Sequence, residues 1–155
     1  MNYSGSITDI DGITVGHHTD LDNGTGCTVV LSKHNAVAGI EVRGAAPGSR
    51  DTEFLHPVAA AQWINGVTLT GGSVFGLDSS GGVVKFLEEQ GVGINLGRVR
   101  IPLVPAAVIF DLGFINHEVR PTFDNGYSAA NSASVEFAVG NAGAGTGATT
   151  AKNLG

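Results

Sequence analysis

Short apolar runs, separated by glycine and small polar residues, fill most of the chain. This alternation is typical of strands joined by tight turns. It predicts five strands, at residues 7–15, 28–31, 37–42, 67–70 and 106–110. Glycine follows or precedes several of these runs, where the chain has to reverse direction.

A helical period replaces this alternation between residues 73 and 90, where Ser73 can cap the start and Gly91 can end the helix. One stripe of this helix, with Phe86 and Leu87 beside it, consists of Val74, Leu77, Gly81, Val84 and Glu88. Interior glycines cost about 1 kcal/mol each relative to alanine. We therefore expect close approach to a sheet to offset this cost at Gly76, Gly81 and Gly82. A second helix is predicted at residues 127–134, and the mixture predicts a layered α/β fold.

Composition narrows the function classes. The chain has 155 residues and a formal charge of −6, which excludes the basic footprint of a nucleic-acid-binding protein. Its 42% hydrophobic residues are enough for one folded domain over residues 1–155. The single cysteine, Cys27, excludes a disulfide framework and is expected to be a free thiol in the core. No signal peptide or membrane span is visible, so a cytoplasmic location without membrane contact is expected.

The segment GNAGAGTGATTAK is the most glycine-rich part of the chain. Gly143, Gly145 and Ala148 satisfy G-x-G-x-x-A, a form of the dinucleotide-binding fingerprint. The acidic residue that the fingerprint needs about 20 positions later is absent. A phosphate loop also fails, because Lys152 is not preceded by glycine and followed by Ser or Thr. Nucleotide binding is therefore kept only as an alternative function.

Three other segments leave functional and structural interpretations open. Gly71 and Gly72 lie between a strand and a helix, where backbone N–H groups bind an anion or simply form the turn. In HHTDLDNGTG the adjacent histidines point to opposite faces of a strand, so an acidic turn with surface histidines is expected rather than a metal site. The loop RGAAPGSRDTE either lines a site or pairs its own arginines and acids.

Together these segments resemble the L-aminopeptidase/D-esterase family, which includes β-peptidyl aminopeptidases and nylon-oligomer hydrolases. The resemblance rests on TDIDGITVGHHTD, GTGCTVVL, RGAAPGSRDTE, NGVTLTGGSVFGLDSSGGVVKFLEEQGVG, VPAAVIFDL, RPT and GNAGAGTGATTAK, which occur in the family's order. It implies an αββα sandwich of the aminopeptidase and ornithine-acetyltransferase type, only partly covered by this chain. It also implies a homo-oligomer and no cofactor or metal.

The resemblance further implies a serine- or threonine-type aminopeptidase that cuts itself into an α and a β chain. The Ser or Thr that starts the β chain then attacks short peptides, amides or esters with a free N-terminus. Because family precursors are longer, we expect this chain to be the first part of the α chain and inactive without its complementary β chain. The alternatives are a non-catalytic small-molecule or nucleotide-binding module and an inactive truncated α-fragment.

The resemblance also assigns site residues. Lys152 matches an active-site lysine of the nylon-oligomer hydrolases, where its charge helps keep the α-amine of the nucleophile neutral. Phe110 replaces a tyrosine of some relatives and is expected to line the pocket without donating to an oxyanion. Further substrate-binding candidates are Gly71, Gly72, Ser73, Gly145 and Thr146.

Overall fold

The computed structural model describes residues 5–151, and its centre is a mixed five-stranded sheet. The strands are β1 (Ile13–Asp20), β2 (Thr25–Ala36), β3 (Ser49–Arg50), β4 (Ile64–Thr70) and β7 (Ala106–Val108). Their spatial order is β1-β2-β4-β7-β3. A separate two-stranded ribbon pairs β5 (Ile94–Asn95) with β6 (Arg100–Ile101).

The register of the sheet places the carboxyl ends of two central strands side by side. β1 and β2 form an antiparallel hairpin that closes with Asp20 opposite Thr25, and β2 runs antiparallel to β4. β4 and β7 are parallel, with Thr70 opposite Val108. The segments that follow β4 and β7 therefore emerge at the same edge of the sheet, which is the usual place for a site in a sheet with parallel strands.

Two α-helices cover one face of the sheet: α1 (Asp78–Glu89) and α2 (Phe123–Asn131). The core lies between them and β2, and its buried members are Cys27, Val29, Leu31, Val83, Leu87, Val104, Ala129 and Ala130. Residues 5–151 also contain four 3-10 helices: Ile7–Asp9, Glu53–Leu55, Ser73–Leu77 and Gly143–Gly147. No helix between residues 5 and 151 combines the length and apolar character needed to cross a membrane.

Gly81 and Gly82 of α1 serve helix packing rather than contact with the sheet, which corrects the expectation for these two glycines. Gly76, before α1, does lie against the end of β4, because a Cβ atom there would lie 2.8 Å from the Thr70 hydroxyl. A Cβ atom on Gly82 would lie 1.9 Å from the carbonyl oxygen of Phe123 in α2. On the other side of the same contact, a Cβ atom on Gly126 would lie 1.8 Å from the carbonyl oxygen of Ser79. The two helix backbones thus touch directly, at a distance that a side chain would prevent.

Two of the predicted strands are wrong in whole or in part. Residues 7–9 form a 3-10 helix, because the Ser6 side chain accepts a hydrogen bond from the Thr8 N–H and caps a turn. The strand begins only after Gly12, whose φ is +83°. Residues 37–42 are irregular, with Val37 88% exposed, because they pair with no strand. β2 instead extends to Ala36, five residues past its predicted end.

Both helices exist but differ from their predicted bounds. The first starts as a 3-10 turn, Ser73–Leu77, and becomes α-helical only at Asp78. Because the tighter turn shifts the phase, α1 buries Ser79, Val83 and Leu87, and Val74 of the predicted stripe is exposed. The second helix begins at Phe123, four residues before its predicted start, and ends at Asn131.

The opposite face of the sheet is only partly covered. Val30, Val67, Leu69 and Ala107 lie on it in neighbouring strands, and Leu69 is 40% exposed. Residues after α2 reach the outer part of this face, where Val15 and Ser134 exchange backbone hydrogen bonds. Residues 5–151 thus supply one helix layer and one sheet layer, with an apolar sheet face left over.

Candidate active site

A pocket of about 690 Å³ opens at the sheet edge where β4 and β7 end. Ser73, just after β4, and Phe110, just after β7, both line it. The loop that the sequence singled out supplies another wall, through Arg43 and Pro47. The remaining lining residues are Ile40, Glu41, Val42, Ala46, Gly48, Ser49, Val74, Ala107 and Val108. The pocket is mainly apolar, with one acid, one base and two hydroxyls at its walls.

Ser73 reaches the pocket through an unusual backbone conformation. Its φ is +54°, and Gly72 before it has φ +76°, so two successive residues are left-handed. The serine N–H donates to the carbonyl oxygen of Ile109 over 3.1 Å. A non-glycine residue in this region stores strain that the surroundings must hold in place, and such strain concentrates at functional sites.

Asp111 holds this turn and was missed by the sequence analysis. Its side chain is buried, with only 4% of the residue exposed. Oδ1 accepts the N–H of Gly72 over 2.6 Å, and Oδ2 accepts the hydroxyl of Thr25 over 2.7 Å. The available signal was a carboxylate placed directly after an apolar strand, VIFD, where burial of a charge requires dedicated donors.

Gly145 and Thr146 are not among the residues that line the pocket. They belong to the 3-10 helix Gly143–Gly147, which is tied to the hairpin because the N–H of Gly143 donates to the Thr19 hydroxyl and that of Ala144 to the Thr28 hydroxyl. Thr146 is 4% exposed, and its hydroxyl has no hydrogen-bond partner within residues 5–151. The N–H groups that a phosphate would need at the start of this helix are thus already donated.

Lys152, the catalytic candidate, lies outside the described residues. Its chain neighbour Ala151 ends the described segment in a left-handed conformation, with φ +57°.

The histidine pair behaves as the strand geometry predicts. His17 bonds through Nδ1 to the Thr28 hydroxyl at 2.9 Å and through Nε2 to the carbonyl oxygen of Ala138 at 3.0 Å. His18 faces the other way, toward the Asn125 amide at 3.5 Å. Within residues 5–151, no three His, Cys, Asp or Glu side chains are grouped so that they could hold a metal ion.

Both interpretations of the arginine-containing loop hold in part. Arg50 pairs within the loop with Asp51 at 3.3 Å, whereas Arg43 pairs at 2.5 Å with Glu41, two residues before the loop. Arg50 also donates to the Ser80 hydroxyl over 2.9 Å, which links the loop to α1. The same loop lines the pocket, and the pair of Arg43 with Glu41 lies at that wall, whereas the pair within the loop does not.

Cys27 is a core residue, as expected. It is fully buried, and burial raises the pKa of its thiol to about 11, although hydrogen bonds from the His18 backbone and the Ser79 side chain act in the opposite direction. A thiol with this pKa carries almost no thiolate near neutral pH and is not a nucleophile.

Comparison with known proteins finds relatives that are similar to this chain in sequence. A protein named an uncharacterized aminopeptidase in Mycobacterium tuberculosis is 42% identical over 148 residues, which cover 90% of this chain and 43% of that protein. A 6-aminohexanoate-oligomer endohydrolase of a Kocuria species is 31% identical, over 93% of this chain and 38% of its own.

The fold has a solved counterpart. The L-aminopeptidase D-Ala-esterase/amidase of Ochrobactrum anthropi, described as a variant of the Ntn-hydrolase fold, superposes with a TM-score of 0.74 at 18% identity. The superposition covers 96% of this chain and 47% of that one. The chain therefore spans less than half the length of each relative, and its sheet and helices form part of the αββα sandwich. The model of peptidase family S58 matches residues 5–155, and the chain belongs to that family.

Proposed function

We propose that this chain is part of a self-processing aminopeptidase. The enzyme hydrolyses the N-terminal amide or ester bond of short peptides through an acyl-enzyme on an N-terminal Ser or Thr outside these residues. The observation that carries the proposal is the pocket of about 690 Å³ in an S58 chain, lined by Ser73 and Phe110 at the edge where β4 and β7 end. Relatives that bear the names aminopeptidase and 6-aminohexanoate-oligomer endohydrolase support hydrolysis of small amides.

The chemistry follows from an N-terminal nucleophile. An α-amine has a pKa of about 7.7–8.0, so a large fraction is unprotonated near neutral pH and accepts the proton of its own hydroxyl. The oxygen attacks the substrate carbonyl carbon, the leaving amine takes the proton, and an ester to the enzyme remains. Water then cleaves that ester and restores the hydroxyl. In this scheme the Lys152 ammonium favours the neutral form of the amine.

The pocket contributes substrate binding. Phe110 offers a ring as an apolar wall and cannot donate a hydrogen bond, so the oxyanion is stabilised by backbone N–H groups or by residues elsewhere in the protein. Ser73 supplies a hydroxyl beside it. Gly71 and Gly72 shape the turn, whereas Gly145 and Thr146 lie in the 3-10 helix Gly143–Gly147, outside the pocket lining.

The proposal extends to partners and location. The apolar sheet face with Val30, Val67 and Leu69 is where a complementary β chain of the same precursor would pack. A charged fraction of only 14% fits a chain whose surface is further covered in a homo-oligomer. We place the enzyme in the cytoplasm, where a free Cys27 stays reduced.

Intact-mass spectrometry of the protein purified from its source tests the self-processing. We expect two polypeptides, the second of which begins with Ser or Thr. A single polypeptide that hydrolyses amino-acid p-nitroanilides without any cut would contradict the N-terminal nucleophile.

Steady-state kinetics test the pocket. Amino-acid p-nitroanilides should be cleaved, and their N-acetylated forms should not. Phe110→Ala should raise KM about tenfold, since the substrate loses an apolar wall. Phe114→Ala is the control, because this residue is also exposed, 43% against 63% for Phe110, but lies outside the pocket lining. Equal effects of the two variants would remove Phe110 from the substrate site.

A further inference from the structure

We propose that Asp111 is a positioning residue that holds the Gly71–Gly72–Ser73 turn, in which Gly72 and Ser73 are left-handed, and so presents the Ser73 hydroxyl to the substrate. The inference rests on the proposed function and names a residue whose contacts lie behind the pocket. Asp111 is absent from the pocket lining, whereas Ser73, two residues after the Asp111-facing Gly71, is part of it.

The first argument is the hydrogen bonding of a buried carboxylate. Oδ1 accepts the Gly72 N–H over 2.6 Å, and Oδ2 accepts the Thr25 hydroxyl over 2.7 Å. Thr25 starts β2 and is 3% exposed, so it anchors Asp111 to the rigid sheet. The bond to Gly72 fixes the residue just before Ser73. A charge-assisted hydrogen bond of this length is stronger than an ordinary hydrogen bond between two neutral amides, and so it can hold a strained turn.

The second argument is the close fit of the surrounding backbone. A Cβ atom on Gly71 would lie 2.0 Å from Asp111 Oδ2 and 2.4 Å from the Thr25 hydroxyl. A Cβ atom on Gly147 would lie 2.4 Å from the Cβ atom of Asp111. Two glycine-rich segments far apart in the chain therefore enclose the same carboxylate. Close packing of this kind leaves Asp111 a single orientation.

The third argument is the strain at Ser73. With φ +54° the serine occupies a region that side chains avoid, and only the local contacts can keep it there. On one side its N–H donates to the Ile109 carbonyl oxygen over 3.1 Å. On the other side Asp111 holds the Gly71–Gly72 peptide through the N–H of Gly72, the residue before Ser73. Removal of the carboxylate frees the turn to relax toward an ordinary conformation, which withdraws the hydroxyl from the pocket.

The test compares Asp111→Ala, Asp111→Asn and a matched control in the complete, processed protein. The control is Asn65→Ala. Asn65 is also a buried residue, 2% exposed, whose Oδ1 accepts a backbone N–H, that of Leu103 at 3.0 Å, but at the opposite end of β4. Two readouts are used: KM and kcat for an amino-acid p-nitroanilide, and hydrogen exchange of the peptide 66–82 by mass spectrometry.

We expect Asp111→Ala to raise KM about tenfold with kcat within about threefold, because one substrate-binding hydroxyl is lost. Exchange in the peptide 66–82 should accelerate at least tenfold. For Asp111→Asn, KM and the exchange rate should both lie within about threefold of the wild type. The asparagine amide oxygen accepts the Gly72 N–H, and the Thr25 hydroxyl can rotate to accept the asparagine NH₂. Asn65→Ala should lower the midpoint of urea unfolding without a change in KM.

Several results overturn the inference: an Asp111→Ala protein with wild-type KM and exchange, an Asn65→Ala protein with the same rise in KM, or an Asp111→Asn protein as impaired as the alanine variant. If Asp111→Ala does not fold, Thr25→Val is used instead, because it removes only one of the two hydrogen bonds to Asp111. It must raise KM and the exchange rate of the peptide 66–82 about threefold each. A wild-type protein without hydrolytic activity would refute the proposed function, whereas the exchange experiment would still decide the role of Asp111.

Discussion

Cys27 is a residue of β2 whose thiol is buried beside Ser79 of α1. This burial controls the acid–base behaviour of the thiol. Burial raises the thiol pKa from 9.0 to about 11, which outweighs the opposing hydrogen bonds from His18 and Ser79. The folded protein therefore binds the proton more tightly than the unfolded chain does. This contribution to the free energy of unfolding is complete below pH 9 and is lost as the pH rises toward 11.

Alkylation of Cys27 tests this prediction. At pH 8 a thiol with a pKa of about 11 is roughly 0.1% thiolate, so peptide-resolved labelling with iodoacetamide should be at least a hundredfold slower in the native protein than in 6 M guanidinium. The wild-type protein should also lose more of its unfolding free energy than Cys27→Ala when the pH is raised from 8 to 10.5. Rapid native labelling at pH 8 would contradict the burial of this thiol.

Ser73 and Phe110 were assigned to the site by the family resemblance, and the strands before them were predicted from the sequence. The structure brings the two residues together at the pocket because those strands are adjacent and parallel, which the sequence did not predict. Asp111 was missed because its partners, Thr25 and Gly72, are far from it in sequence. The positive φ of Ser73 was equally hidden, because it depends on the tertiary contacts that hold the turn.

Among the elements, the contact between α1 and α2 is unusually close. Gly82 and Gly126 let the helix backbones touch, and the carbonyl oxygen of Phe123 occupies the place of a Gly82 side chain. Gly81, its neighbour in the same helix, faces the ring of Phe123 instead, with 3.2 Å from its hypothetical Cβ atom to the ring. A ring can move aside, whereas a helix backbone cannot.

Alanine substitutions at these two glycines should therefore have opposite effects. Gly82→Ala should destabilise the protein by about 2–3 kcal/mol, because overpacking outweighs the gain in helix propensity. Gly81→Ala should be neutral or should stabilise by up to about 1 kcal/mol. Urea unfolding of both variants measures the difference. Similar stabilities for the two would refute the close helix contact.

The bounds of the strands and helices show which features of the fold could be predicted from the sequence. The apolar runs correctly predicted strands at β2, β4 and β7, although with shorter or longer bounds. Residues 37–42 have the same apolar character but no strand beside them, and local pattern alone does not reveal a missing neighbour. The helix positions were predicted, whereas the buried face of α1 depended on an initial 3-10 turn.

At the scale of the whole molecule, the apolar sheet face opposite the helices matters most. Val30, Val67 and Leu69 are partly exposed within residues 5–151. In an αββα sandwich a second sheet packs on this face, so these side chains should be buried in the complete protein. The layered α/β class follows from the alternation of strands and helices, but the sandwich came only from resemblance, since residues 5–151 contain one large sheet with helices on one face.

An aspartate on this face reports whether it is covered. Leu69→Asp should destabilise the complete protein by about 3 kcal/mol or more, because it places an unpaired charge between two sheets. Leu96→Asp is the control, since this leucine is 61% exposed in the turn between β5 and β6. It should change the stability by less than about 0.5 kcal/mol. Thermal unfolding of both variants checks the prediction, and an equal tolerance of the two would show that the face stays open.

The position of β3 at the far edge of the sheet has a consequence for synthesis on the ribosome. Ser49 of β3 pairs with Ala107 of β7, and β7 lies between β3 and β4. β3 therefore joins the sheet only after β7 has paired with β4. At a synthesis rate of roughly 5–20 residues per second, β3 and the pocket loop leave the ribosome several seconds before β7, the strand with which β3 pairs, has been made. The β1–β2 hairpin and β4 can pair as soon as they leave the exit tunnel. The wall of the pocket is thus among the last parts of the sheet to become ordered in a newly made chain.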